Sequence, residues 1–183
     1  MTSMQTETVV FGGGCFWCTE AIFKSLKGVL SAEPGYAGGS AETATYEQVS
    51  KGDTGHIEVA KIEYDPMSLS FEELLSVFFA THDLTTPNRQ GNDVGPQYNS
   101  AIFYTTQRQK EKAEHYIAAL QGHTSKQILT KILPLEKFYP AENYHKNYYE
   151  AHKDEPYCQL VIEPKLEKIA DKFDHLMKKD KKQ

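Results

Sequence analysis

Two thiols three residues apart, Cys15 and Cys18, flank the large rings of Phe16 and Trp17 and follow three glycines in GGGCFWCTE. Such a stretch can do nucleophilic and redox chemistry if the first thiol is presented rather than packed. Residues 8–11, TVVF, are β-branched and aromatic and read as a short buried strand ended by the glycines. From Cys15 the period turns helical: Cys18, Ala21, Ile22, Ser25, Leu26 and Val29 share one face, and Gly28 ends the run. Cys15 is therefore expected at or near a helix N-terminus, where unpaired N–H groups and about half a positive charge stabilise a thiolate. The glycines let the backbone turn sharply and give a substrate close access. A buried, inert cysteine is the bland alternative, and the glycine turn argues against it. Cys18 has the spacing of a thioredoxin-like redox pair. It also lies on the apolar face beside Ile22, where a small core residue would serve, so both readings stand.

The second chemical candidate is a carboxyl group. Residues 56–64, HIEVAKIEY, read as a strand stopped by Asp65 and Pro66. Within it Glu58 shares a face with Ala60, Ile62 and Tyr64, while Lys61 and Glu63 point the other way. A carboxyl facing an apolar layer has its pKa raised by desolvation, which is how a general acid is made. The alternative is a glutamate on a solvated edge strand.

The rest of the chain must position these groups. Residues 32–56 hold five glycines and read as a long loop, of a kind that is often functional. Ser70 to Glu73 form a capping box opening a helix with Phe71, Leu74, Leu75, Phe78 and Phe79 as its apolar stripe. Residues 83–99 form a second long polar loop. A strand is expected at 101–104, a helix from Thr106 to Gly122, and a weak strand over 127–135. A tyrosine-rich helix is expected over 142–152 and a strand at 160–162. An amphipathic C-terminal helix and a solvated basic tail follow. The expected fold is α+β: one catalytic domain over 1–183, with a core at about 8–164 and the helix and tail at 165–183. Its mixed or antiparallel sheet has flanking helices, a ferredoxin-like core and long functional loops.

The chain has 183 residues, 39% hydrophobic and 25% charged, which suits one globular domain. A net charge of −5 argues against nucleic acid as the main partner. No apolar run nears the ~20 residues that span a bilayer, and MTSMQTETVV carries no signal-peptide pattern. Three cysteines make no secreted disulfide framework, so a cytoplasmic redox protein is expected.

Five ordered blocks resemble one family. GGGCFWCTE, GYAGG at 35–39, TYEQVSKGDTGHIEV at 45–59, HDLTTPNRQGNDVGPQYNSAIF at 82–103 and FYPAENYHKNYY at 138–149 are similar to the A-type peptide methionine sulfoxide reductases. The similarity runs from about residue 8 to about 164. It implies reduction of the S epimer of methionine sulfoxide, free or in proteins, for repair of oxidised proteins. Cys15 would be the nucleophile, Phe16 and Trp17 the wall receiving the substrate's methyl group, and Glu58 the acid. Tyr46 and Tyr98 would hydrogen-bond the sulfoxide oxygen, and Asp93 would help organise the site. His56 and His145 fall in matching motifs, with structural roles equally open. Cys15 would end as a sulfenic acid, then a disulfide reduced by thioredoxin, with no metal or bound cofactor and a monomer expected.

The chain departs from that pattern at the second thiol. Many members have glycine where Cys18 stands and keep the resolving cysteine in a flexible Gly-rich tail. Cys158 here is followed by QLVI, which reads as an ordered strand. Cys18 is therefore favoured as the resolving residue, with Cys158 the alternative. A general thiol–disulfide oxidoreductase built on CFWC alone would leave Glu58 and the two long loops unexplained.

Overall fold

The computed structural model describes residues 5–179; residues 1–4 and 180–183, which include the end of the basic tail, lie outside the described residues. The β-branched run after Glu7 forms β1 (Glu7–Gly12), with Val9, Val10 and Phe11 fully buried. The glycines turn the chain into α1 (Phe16–Lys24), and β2 (Val29–Ala37) returns it to the sheet. After the one-turn α2 (Tyr46–Val49) come β3 (Ile57–Tyr64) and α3 (Phe71–Ala80). A two-residue hairpin, β4 (Arg89–Gln90) and β5 (Asp93–Val94), precedes β6 (Ala101–Tyr104) and α4 (Gln107–Gln121). The chain ends with β7 (Lys131–Pro134), β8 (Phe138–Pro140), α5 (Tyr148–Ala151) and α6 (Glu163–Lys172).

Six strands form one mixed sheet in the order β7-β6-β1-β3-β2-β8. Every neighbouring pair is antiparallel except β6 and β7, which run parallel. One face is covered by α1, α3 and the C-terminal helix, where Phe11 stacks on Phe78 at 4.5 Å. The other buries Val10, Ile57, Val59 and Phe103 under Leu135 and Phe138. Ile169, Phe173 and Leu176 belong to the first core, so the core runs past residue 164 and the C-terminal helix is part of it. No helix among the described residues is long and apolar enough to cross a membrane.

Local signals read from the sequence are realised at several helix starts. Ser70 Oγ accepts from the Glu73 N–H and the Glu73 carboxylate accepts from the Ser70 N–H, closing the capping box. Thr106 Oγ1 accepts from the Gln109 N–H at 3.1 Å and opens α4.

Three expectations are corrected. Residues 32–37 are strand, not loop: Pro34 and Gly35 look like breakers, yet Pro34 O accepts from the Ala141 N–H at 2.9 Å and Gly35 lies against the Phe138 ring. The helix expected over 142–152 is two short turns, Asn143–His145 and Tyr148–Ala151, separated by Asn147 at φ 55°. The strand expected at 160–162 is a π-helical turn, Cys158–Ile162, running into α6. Leu160 is 76% exposed there, and the Gln159 N–H is already held by Glu155 O at 3.1 Å.

The turn that aims α1 depends on Gly14, at φ +95°, where a Cβ would lie 2.7 Å from Gln90 Cγ. Gly14→Ala is expected to cost about 1–3 kcal/mol of stability, seen as a lower urea midpoint at unchanged slope. A midpoint equal to that of the unsubstituted chain would mean the turn relaxes freely.

Candidate active site

Cys15 is the N-cap of α1, in extended backbone at φ −60°, ψ 128°, and the residue is half-buried. The first free N–H of the helix, that of Phe16, donates to Glu58 Oε2 at 3.2 Å. That bond joins the start of β3 to the start of α1 and sets acid and thiol side by side. Glu58 is 2% exposed, on the face that also carries Ala60, Ile62 and Tyr64. Burial pushes its pKa up to about 8, the Asp93 charge adds to the rise, and the Phe16 N–H offsets part of it. At neutral pH Glu58 is a carboxylic acid.

The thiol itself differs from the sequence expectation. Burial raises the Cys15 pKa well above the usual thiol range, with further rises from the Glu58 charge and from Cys18. The helix N-terminus does not prevail: Tyr157 and the Trp17 N–H lower the thiol's pKa, but burial outweighs them. The resting pair is thus a protonated acid beside a protonated thiol, and one site holds two protons.

Tyrosine hydroxyls surround the pair. Burial, then the charges of Glu58 and Cys15, raise the pKa values of both Tyr46 and Tyr98, so each keeps its proton and can donate. Tyr46 begins α2, where the Thr45 side chain caps the turn and Glu142 Oε2 accepts from the Tyr46 N–H at 3.0 Å. Tyr98 closes the turn Pro96–Tyr98, and Asp93 sits on β5. Phe16 is fully buried against Tyr36, Val49 and Ala141. Trp17 is half-buried, stacked on Tyr148 at 3.7 Å and 5°, and its indole N–H donates to His145 Nδ1 at 3.0 Å. Indole can only donate, so His145 Nδ1 is bare; burial lowers its pKa and keeps the ring neutral.

The two histidines therefore part company. His145 lines the site beside Phe16, Tyr46 and Trp17. His56 spends both ring nitrogens on backbone: Nδ1 accepts from the Gly39 N–H at 3.1 Å, and Nε2 donates to Ser40 O at 2.8 Å. It closes the turn between β2 and β3, and Gly39 is glycine because a Cβ would lie 2.4 Å from that ring.

All three thiols gather in one place. Cys18 and Cys158 are both buried, in one apolar cluster against which Cys15 and Trp17 pack. Beside Cys18 stands Tyr157, which sequence reasoning missed. Its hydroxyl donates to Asp93 Oδ2 at 3.0 Å and lies 3.9 Å from Cys18 Sγ. Since its proton is committed to Asp93, the Cys18 S–H is the donor in the second contact. Tyr157 also lies close to Cys15 and opposes the rise that burial imposes on that thiol's pKa. Glu142, Tyr36 and Tyr148 were also missed; the tyrosine density of residues 142–152 was the signal that could have found the last.

Glu58 also gives a stability test. An acid whose folded pKa lies above its unfolded value keeps its proton in the native state when the unfolded chain has lost it. The contribution is fully present below about 4.5 and is lost as pH rises to about 8. The difference in unfolding free energy between the wild-type chain and Glu58→Gln is expected to fall across that window, at no more than about 1.4 kcal/mol per pH unit. A difference that stays flat would show Glu58 to be ionised throughout.

Comparison with known proteins follows the same lines. A sequence model of the family described as peptide methionine sulfoxide reductase matches residues 7–177. The chain is 51% identical over 167 residues to the peptide methionine sulfoxide reductase MsrA of Sulfolobus acidocaldarius, covering 91% of this chain and 95% of that one. It resembles the crystal structure of Mxr1 from Saccharomyces cerevisiae in reduced form, with a TM-score of 0.79 and 31% identity over 84% of this chain and 90% of that one. It also resembles methionine sulfoxide reductase A of Corynebacterium diphtheriae, with a TM-score of 0.74 and 36% identity over 83% and 77% of the two chains.

Proposed function

The chain belongs to the peptide methionine sulfoxide reductase family and is an oxidoreductase, and from that membership we propose a specific course for its reaction. It reduces methionine S-sulfoxide, in proteins and as the free amino acid, through a Cys15 sulfenic acid and then a disulfide recycled by thioredoxin. The observation that carries this reading is the buried Glu58 carboxyl, bonded to the Phe16 N–H beside Cys15 and raised to about 8.

A sulfoxide oxygen leaves sulfur poorly unless it is protonated. Glu58 supplies that proton while the Tyr46 and Tyr98 hydroxyls hold the oxygen. Cys15 attacks the sulfoxide through its sulfur and ends with the oxygen as a sulfenic acid, and methionine departs. The thiol's own proton replaces the one Glu58 gave, so one thiol and one sulfoxide yield one sulfenic acid and one thioether. Phe16 and Trp17 receive the methyl group in an apolar wall. Asp93 organises the site through Tyr157 and, by its charge, helps keep Glu58 protonated.

A second thiol then displaces water from the sulfenic acid to form a disulfide. We favour Cys18, one helical turn away, because its S–H has a path outward through Tyr157 to Asp93. Cys158 is the alternative, buried in the same cluster. A dithiol reductant, thioredoxin in our reading, returns the disulfide to thiols by exchange, so no metal or bound cofactor is required. The protein would act as a monomer in the cytoplasm. The order β1-α1-β2-β3-α3-β6, with those strands lying β6-β1-β3-β2 in antiparallel array, supports reading the centre of the sheet as ferredoxin-like.

With peptides carrying each sulfoxide epimer and a dithiol, the protein is expected to consume the S epimer alone, and Cys15→Ser to be inactive. Equal use of both epimers, or activity in Cys15→Ser, would contradict the reading. The rate constant kcat/KM is expected to fall as pH rises through about 8 and to lose that limb in Glu58→Gln. Thioredoxin-dependent turnover should be lost in Cys18→Ser; undiminished turnover there, with loss in Cys158→Ser, would pass the resolving role to Cys158.

A further inference from the structure

The last residue of the opening motif, Glu20, has no part in the chemistry above, yet it is 2% exposed. It lies three residues beyond Trp17 on α1, so the two side chains leave the same side of the helix. Its Oε2 accepts from the Asn147 N–H at 3.2 Å, and Tyr148 follows Asn147 directly in the chain. Asn147 is left-handed at φ 55°, a conformation that non-glycine residues hold only when something fixes it.

The segment so held is the one that holds Trp17. His145 takes the indole N–H and Tyr148 covers the indole face. At its other end the segment is fixed by Glu142, whose carboxylate accepts from the Tyr36 hydroxyl at 2.8 Å and the Tyr46 N–H at 3.0 Å. Glu20 is thus the tie at the end nearer Trp17, and it returns the segment to the helix that carries the ring. Burial raises the Glu20 pKa, and the Asn147 N–H and the Lys24 charge oppose that rise.

We infer that Glu20 is a positioning residue for substrate recognition: its carboxylate fixes the backbone at Asn147, and the neighbouring Tyr148 and His145 then hold the Trp17 ring in the wall that receives the substrate's methyl group. This rests on the reading of Trp17 given above. A ring free to tilt would bind the methyl group less well in ground and transition states alike, so the loss falls on KM more than on kcat.

Trp17 is the only tryptophan in the chain, so its fluorescence reports on this ring alone. Acrylamide quenching of Trp17 and the kinetics of an S-sulfoxide peptide should be compared in the wild-type chain, Glu20→Ala and Glu20→Gln. In Glu20→Ala quenching is expected to rise and KM to rise about tenfold, which is ~1.4 kcal/mol of binding, with kcat changed far less. In Glu20→Gln, which keeps one acceptor oxygen, both rises should be smaller. Unchanged quenching in Glu20→Ala, or increased quenching with an unchanged KM, would overturn the assignment. Should Glu20→Ala fail to fold by circular dichroism, the isosteric Glu20→Gln decides, and wild-type values for both quantities would overturn it. Quenching needs no turnover: an inactive wild-type protein would refute the proposed function, while the Trp17 comparison would still decide Glu20.

Discussion

One hydrogen bond organises this molecule's chemistry: the Phe16 N–H, at the first turn of α1, donates to the carboxyl of Glu58 at the start of β3. A helix must leave its first N–H groups without partners of its own, and a buried carboxyl must find donors. Here each meets the other's need. The contact requires β1 and β3 to be neighbours, in the register that pairs Phe11 with Ala60. It also requires a turn at residues 12–14 sharp enough to start a helix just beyond the strand. Sheet topology, the glycine turn and the helix cap are all fixed by the need to bring this acid beside this thiol.

Around that bond the protein has built a site that keeps protons rather than sheds them. Burial acts on Glu58, Cys15, Tyr46 and Tyr98 in one direction, and a charge on Glu58 would raise the pKa of each of the other three. Such a site tolerates no net negative charge until a substrate takes up a proton. That suits reduction of a sulfoxide, whose oxygen leaves only once protonated, better than disulfide exchange, where a standing thiolate is the asset. The Tyr157–Asp93 pair stands beside Cys18 and, in the proposed cycle, is an outlet for its proton.

Much of this was legible in the sequence because it is local. The strand-glycine-helix order at Cys15 and the period-two face of Glu58 are properties of short windows. The Ser70 and Thr106 caps are too. What was not legible depends on partners far along the chain. Pro34 and Gly35 look like loop residues because the strand they belong to is defined by β3 on one side and β8 on the other. The Leu160, Val161, Ile162 run is β-branched enough to suggest a strand, but its backbone is satisfied locally and its Leu160 faces water. Tyr157 carries no motif of its own, and its importance appears only when the turn at Cys158–Ile162 folds onto α1. The raised thiol pKa was hidden for the same reason: a helix terminus can be read from sequence, whereas what buries it cannot.

The central claim is that a neutral Glu58 carboxyl stands beside Cys15 in the resting protein. Carbon-13 NMR of the chain labelled at glutamate side-chain carboxyls tests it directly, with the Glu58 signal assigned by its loss in Glu58→Gln. The account predicts a protonated-acid chemical shift at neutral pH, titrating to carboxylate near 8. A Glu58 signal already at the carboxylate position at neutral pH, titrating near the ordinary glutamate value of about 4.3, would contradict it.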